Sequence, residues 1–137
     1  MSKQTGPSVV ISGVGSYVPP KIMTNDDLSK LVETSDEWIR TRTGIRERRI
    51  AGENESTSDM AAKAGKEALS ASGVAPDQID LIVVGTCTPD MVFPNTACFV
   101  QRKLGLGKVP AFDVEAACSG FIYILDIAKS LMLAHGY

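Results

Sequence analysis

The chain has 137 residues, 44% of them hydrophobic, and 14 basic against 16 acidic side chains leave a formal net charge of −2. That length suits one ordinary domain with a real core, and the balanced charge argues against nucleic acid as the main partner. No apolar run reads as long enough to span a bilayer and Met1–Pro7 carries no signal-peptide core, so no membrane partner and a cytoplasmic location are expected. Cys87, Cys98 and Cys118 show no CxxC spacing. They support neither a disulfide framework nor a metal site, and fit a reducing compartment.

Val9-Val-Ile-Ser-Gly-Val14 reads as a buried strand. The Gly13/Gly15 pair is not a dinucleotide fingerprint, because Pro19 and Pro20 stand where the helix should open. Thr24-Asn-Asp-Asp27 and Thr34-Ser-Asp-Glu37 both match the capping box, a hydroxyl followed three residues later by a carboxylate. They announce short helices over roughly 26–33 and 36–43, the second closed by Gly44. Trp38, Arg40 and Arg42 lie on that second helix, and Arg46, Arg48 and Arg49 follow directly. A guanidinium fork suits phosphate and an indole stacks on a flat heterocycle, which suggests an adenine-and-phosphate ligand. A solvated basic patch with a packing tryptophan explains the same residues.

Residues 58–72 give a clear amphipathic helix, with Met60, Ala61, Ala64, Ala68, Leu69 and Ala71 on one face and Gly73 at its end. Ile79–Val84 is apolar without alternation, as in a parallel strand covered on both faces. Its carboxyl end leads into Gly85-Thr-Cys-Thr-Pro-Asp90 and places Cys87 near the edge where ligands bind in open α/β sheets. Pro94 suits the first position of a helix running to Leu104, with Cys98 packed in the core. A strand over 109–114 then meets Glu115-Ala-Ala-Cys118-Ser-Gly120 and a final helix from Ser119 to about Ala134.

Cys118 therefore sits where a strand has ended and a helix begins. Free N–H groups and the helix dipole stabilise a thiolate there, and the small neighbours Ala116, Ala117, Ser119 and Gly120 leave room for an approaching group. That is a covalent-nucleophile pattern, although a small buried hydrophobe fits the position as well. The last helix is apolar nearly all round and must be enclosed by protein. His135, at its far end, is about 24 Å away at 1.5 Å per residue and cannot serve Cys118 as a base within one subunit. The order β-α-α-α-β-α-β-α describes a layered α/β unit with a mostly parallel sheet.

Four stretches in order, Thr34–Arg48, Ile79–Val84, Phe93–Cys98 and Phe112–Phe121, make the chain from Val9 to Tyr137 resemble the amino-terminal part of the β-ketoacyl-acyl carrier protein synthase III family. The resemblance implies a thiolase-like fold of two similar halves in five layers, of which residues 1–137 are the first, with the nucleophile's helix buried centrally. It implies that Cys118 takes an acyl group, typically acetyl, from coenzyme A. The enzyme then condenses that group with malonyl-acyl carrier protein to initiate type II fatty-acid synthesis, acting as an acyltransferase with acyl-coenzyme A as substrate and no cofactor. Thr34, Trp38 and Arg42 match the coenzyme A cleft. Phe93 matches the wall of the acyl pocket and the dimer interface, and Cys87 lines the same pocket. The backbone N–H of Cys118 matches half of an oxyanion hole.

Family members are more than twice this long, and their catalytic His and Asn lie in the second half. The isolated chain is accordingly expected not to condense substrates. Its implied partners are acyl carrier protein and a second copy in a homodimer, joined by a separate carboxy-terminal chain if the enzyme is split. Related priming synthases of polyketide or quinolone type, hydroxymethylglutaryl-coenzyme A synthase, and a non-catalytic binding fragment remain alternatives at this point.

Overall fold

The computed structural model describes residues 8–137; Met1–Pro7, read above for a signal peptide, lie outside the described residues. The chain divides into two compact units, Val18–Ser56 and the described part of Met1–Tyr17 together with Thr57–Tyr137.

In the unit Val18–Ser56, strand β1 (Lys21–Thr24) is followed by helices α1 (Asn25–Ser29) and α2 (Asp36–Thr43) and strand β2 (Glu47–Ile50). β1 and β2 pair antiparallel, Lys21 opposite Ile50 and Thr24 opposite Glu47. Part of the arginine run is thus a strand, which the charged sequence Glu-Arg-Arg-Ile hides. Thr24 closes β1 and caps α1: its hydroxyl accepts from the Asp27 N–H at 3.1 Å and the Asp27 carboxylate accepts from the Thr24 N–H at 3.2 Å. Helix α1 ends at Ser29, short of the expected 33, with Lys30 as its C-cap and a turn after it. Its first residue, Asn25, is 1% exposed and fully used. It donates to Asp36 Oδ1 and to the Ile45 carbonyl, both at 2.8 Å, and accepts from the Arg48 guanidinium at 3.0 Å. One side chain thereby joins β2, the start of α2 and the turn after it.

The Lys30 ammonium, then the Thr24 hydroxyl and N–H, hold the Asp27 carboxyl down from 3.8 to about 2. Protonation dismantles this cap, so its contribution to stability is complete above about pH 3.8 and disappears as pH falls through about 2. An NMR titration of the Asp27 carboxyl carbon should give that depressed midpoint; an ordinary carboxylate midpoint would mean the cap does not persist in solution. Asp36 is also lowered, chiefly by the hydrogen bond from Asn25 and then by Arg40.

In the other unit, α3 (Thr57–Ser72), β3 (Ile82–Gly85), α4 (Thr96–Lys103), β4 (Ala111–Val114) and α5 (Gly120–His135) follow in order, with 3₁₀ turns at Pro76–Gln78 and Ala117–Ser119. β3 and β4 run parallel, Ile82 opposite Ala111 and Gly85 opposite Val114. The small face of α3 permits close packing. A Cβ on Gly15 would collide with Ala64 O and Ala68 N, and one on Gly13 would lie 2.5 Å from Ala68 O. The Ser16 N–H donates to Glu67 at 2.7 Å. Val9–Val14 nevertheless joins no ladder among the described residues. This corrects the expected first strand: the apolar run seats its glycines on α3 instead of pairing. Helix α4 begins at Thr96, not Pro94, because Asn95 is the N-cap and its side chain accepts the Cys98 N–H.

Helix α5 packs on β3 and β4, and a Cβ on Gly85 would reach Ile124 at 3.5 Å. The enclosure expected of α5 is met on that side only; Phe121 and Ile122 are 64% and 63% exposed. The stretch Ala117–His135 is also long and apolar enough, by length and composition alone, to cross a membrane. That corrects the reading that no run was. The core helix of a layered soluble protein passes the same test.

Candidate functional site

The residues singled out in the sequence fall into both units. In the larger unit the site is an edge. The parallel strands β3 and β4 end side by side, and the Thr86 N–H donates to the Val114 carbonyl at 3.2 Å, so the loops carrying Cys87 and Cys118 leave the same end of the sheet. Between β4 and α5 the chain must turn within a few residues. Ala117 takes φ +43° to do so, a left-handed conformation that costs a non-glycine residue energy and is found at sites the surrounding structure over-determines. Cys118 follows in the 3₁₀ turn, exposed. The first turn of α5 holds no acidic side chain and Ser119 makes no side-chain cap. The positive end of the helix dipole is therefore not offset by a carboxylate of the helix's own first turn. Cys87 is exposed and Cys98 is partly buried in α4. Phe93 is 86% exposed, beside Val92 at 98%, so no wall closes over it among the described residues.

Two acidic residues that sequence reasoning passed over position this edge. Asp113, in the middle of β4, accepts from the N–H groups of Thr96 at 2.7 Å and Ala97 at 2.8 Å. With Asn95 on the Cys98 N–H, the first three amides of α4 are all satisfied. A carboxylate between Phe112 and Val114 in an otherwise apolar strand was the visible signal. Asp90, beyond Cys87, accepts from the Ser58 N–H and hydroxyl at the start of α3.

In the smaller unit, Ser35 rather than Thr34 caps α2, accepting from the Trp38 N–H at 3.1 Å. Thr34 instead lines a cleft of about 430 Å³ with Glu33, Ser35 and Trp38. Trp38 and Arg42 lie one turn apart on α2, and the Arg42 guanidinium carbon sits 4.9 Å from the indole centroid, a cation–π distance. The rest of the arginine run is partly committed elsewhere: Arg40 to Asp36, Arg48 to Asn25 and Arg49 to Glu47. The cluster is thus one arginine stacked on one exposed tryptophan, with its neighbours holding the unit together.

The fold with these two sites defines a thiolase-like protein carrying a cysteine at a strand-to-helix junction. No protein-family model matches the chain. The resemblance read from the sequence holds in the comparisons. Over 122 residues, 89% of its length, the chain is 60% identical to the β-ketoacyl-[acyl-carrier-protein] synthase III of Xanthomonas campestris pv. campestris strain 8004, covering 38% of that relative. It superposes on the crystal structure of 3-oxoacyl-[acyl-carrier-protein] synthase III from Aquifex aeolicus with a TM-score of 0.86 at 56% identity, covering 89% of this chain and 39% of that one. It superposes on a priming β-ketosynthase from the R1128 polyketide pathway with a TM-score of 0.87 at 39% identity, covering 92% and 38%. The chain spans less than two-fifths of the length of these relatives.

Proposed function

We propose that this chain carries the acyl-accepting site of a β-ketoacyl-acyl carrier protein synthase III, with Cys118 as the nucleophile. The supporting observation is the exposed thiol in the turn after β4, at the dipole-positive start of α5. The Cys118 thiolate attacks the thioester carbonyl of an acyl-coenzyme A, and its C–S bond forms as the carbonyl becomes a tetrahedral oxyanion. Collapse breaks the bond to the coenzyme A sulfur, which leaves as its thiolate. The Cys118 N–H stabilises the oxyanion from the same turn. The family resemblance assigns Trp38 to the adenine, and Arg42 and Thr34 to the phosphate end, of coenzyme A. Cys87 and Phe93 flank the acyl chain. The whole protein then condenses the acyl group with malonyl-acyl carrier protein to begin fatty-acid synthesis, as a homodimer in the cytoplasm, using no cofactor. The histidine and asparagine that the resemblance assigns to condensation have no counterpart in these 137 residues, where the one histidine is His135.

The test is a denaturing intact-mass spectrum after incubation with acetyl-coenzyme A. The expected result is one acetyl group per chain, mapped to the Cys118 peptide; an unmodified chain overturns the proposal. Trp38→Ala should weaken coenzyme A binding by about 1–3 kcal/mol, the range for a base stacked on an aromatic ring. An unchanged dissociation constant by calorimetry would return Trp38 to a packing role.

A further inference from the structure

The loop from Thr86 to Asn95 connects β3 to α4 and carries both residues assigned to the acyl chain, Cys87 on its first leg and Phe93 on its last. Loops of this kind with exposed apolar tips usually move. This one is tied down at its middle. The Asp90 carboxylate accepts the Ser58 N–H at 2.8 Å and the Ser58 hydroxyl, satisfying a helix-terminal amide of α3 that the helix itself cannot. The Asp90 N–H donates to Thr96 Oγ1 at 3.2 Å in the first turn of α4. Two residues earlier, the Thr88 carbonyl accepts from Thr57 Oγ1 at 2.6 Å. Ser58 and Thr96 are both 0% exposed, so their ends of the bonds to Asp90 are shielded from water. The Lys103 ammonium donates to the Ser58 hydroxyl at 2.7 Å and to Asp59 at 2.6 Å. A continuous line thus runs from Lys103 through Ser58 to Asp90.

We infer that Asp90 is a positioning residue: it fixes the loop Thr86–Asn95 on the first turns of α3 and α4, and through it sets which acyl chains reach Cys118. The inference rests on the reading of Cys118 as the acyl acceptor. Geometry gives the reason for coupling the two. The loop begins at Thr86, hydrogen-bonded to the last residue of β4, and Cys87 is the next residue. With its vertex anchored at Asp90, the Cys87 leg has a fixed path from the sheet edge to the anchor. Released, that leg can swing from the edge where Cys118 emerges, and the space for an acyl chain changes.

The experiment compares the 137-residue chain with its Asp90→Asn, Asp90→Ala and Ser58→Ala variants. Amide hydrogen exchange reports the loop, and intact mass reports loading from acetyl- and octanoyl-coenzyme A. In Asp90→Ala, exchange across 86–90 should rise about tenfold or more while the interiors of α3 and α4 stay protected. The octanoyl-to-acetyl loading ratio should change by about tenfold, the scale on which pocket walls discriminate chain length. Ser58→Ala, which keeps the Ser58 N–H, should give a smaller change in the same direction. Unchanged loop exchange in Asp90→Ala overturns the anchoring role. A loosened loop with the parent loading ratio overturns the selectivity role. If circular dichroism shows Asp90→Ala unfolded, Asp90→Asn and Ser58→Ala decide by the same two readings. A parent chain that takes no acyl group overturns the assignment of Cys118 and the selectivity with it, and the exchange data still decide the anchoring.

Discussion

Cys118→Ser should reduce acyl loading by a thousandfold or more, on the order seen when a covalent nucleophile is removed, and leave the fold intact. The thiolate is the attacking species in thioester exchange, and a serine hydroxyl with no base beside it stays protonated at neutral pH. His135, at the far end of the 16-residue helix α5, is about 24 Å away at 1.5 Å per residue and cannot serve as that base within one chain. The substitution exchanges sulfur for oxygen at an exposed position, where surface changes fall within about 0.5 kcal/mol. Unfolding curves for the two proteins should therefore superimpose. Cys87 is also exposed, so the adduct must be mapped to a peptide. Equal acyl loading in both proteins, carried on Cys87, would show that the turn after β4 does not make the nucleophile.

Asp113→Ala should produce the largest loss of stability among the changes considered, about 2–4 kcal/mol. It strands the N–H groups of Thr96 and Ala97, both residues 0% exposed, and each unsatisfied buried amide costs about 1–3 kcal/mol. Loss of a carboxylate from the positive end of α4 adds to this. The effect weighs heavily because few apolar side chains are fully buried; among the described residues the buried hydrophobic set is Ile39, Ala62, Ala97 and Val100. The check is urea denaturation, with a lowered midpoint and an unchanged slope. Asp113→Asn should recover part of the loss, since its carbonyl still accepts one of the two bonds. A midpoint equal to the parent's would mean that water or another group takes over the cap.

Much of the architecture was legible because its signals are local. The Thr24 capping box, the bounds of α2 and α3, the glycine stop at Gly44 with φ +74°, and the apolar runs at β3 and β4 all follow from residues within a few positions of one another. What escaped was decided at a distance. Glu47–Ile50 forms a strand because its backbone pairs with Lys21–Thr24, and Arg48 is held there by Asn25, 23 residues away in sequence. Val9–Val14 has strand propensity but finds no ladder, since pairing needs an open neighbour and its glycines fit α3 more closely than a sheet edge. For the site, Cys118 and the Trp38–Arg42 pair were visible as residue types in suggestive positions. The strained backbone at Ala117 and the capping role of Asp113 were not, because φ angles and contacts across elements leave little mark on a single sequence. Aspartates lodged among apolar residues or in turn-rich loops are the one clue that Asp90 and Asp113 offered.

Asn25 has a consequence for the genetics of this protein. It touches neither Trp38 nor Arg42 through any hydrogen bond it makes, yet the start of α2, which presents both, hangs on its amide through Asp36. A change at Asn25 should tilt or fray that helix and, on the proposed role of Trp38 and Arg42, surface as a coenzyme A-binding defect. A screen for binding mutants should recover this position alongside the contact residues, and a second change that restores the fit of Arg48 or Asp36 should suppress it. On the proposed role of Trp38 and Arg42, sorting such alleles by suppressor separates residues assigned to the ligand from the one that holds their helix in place.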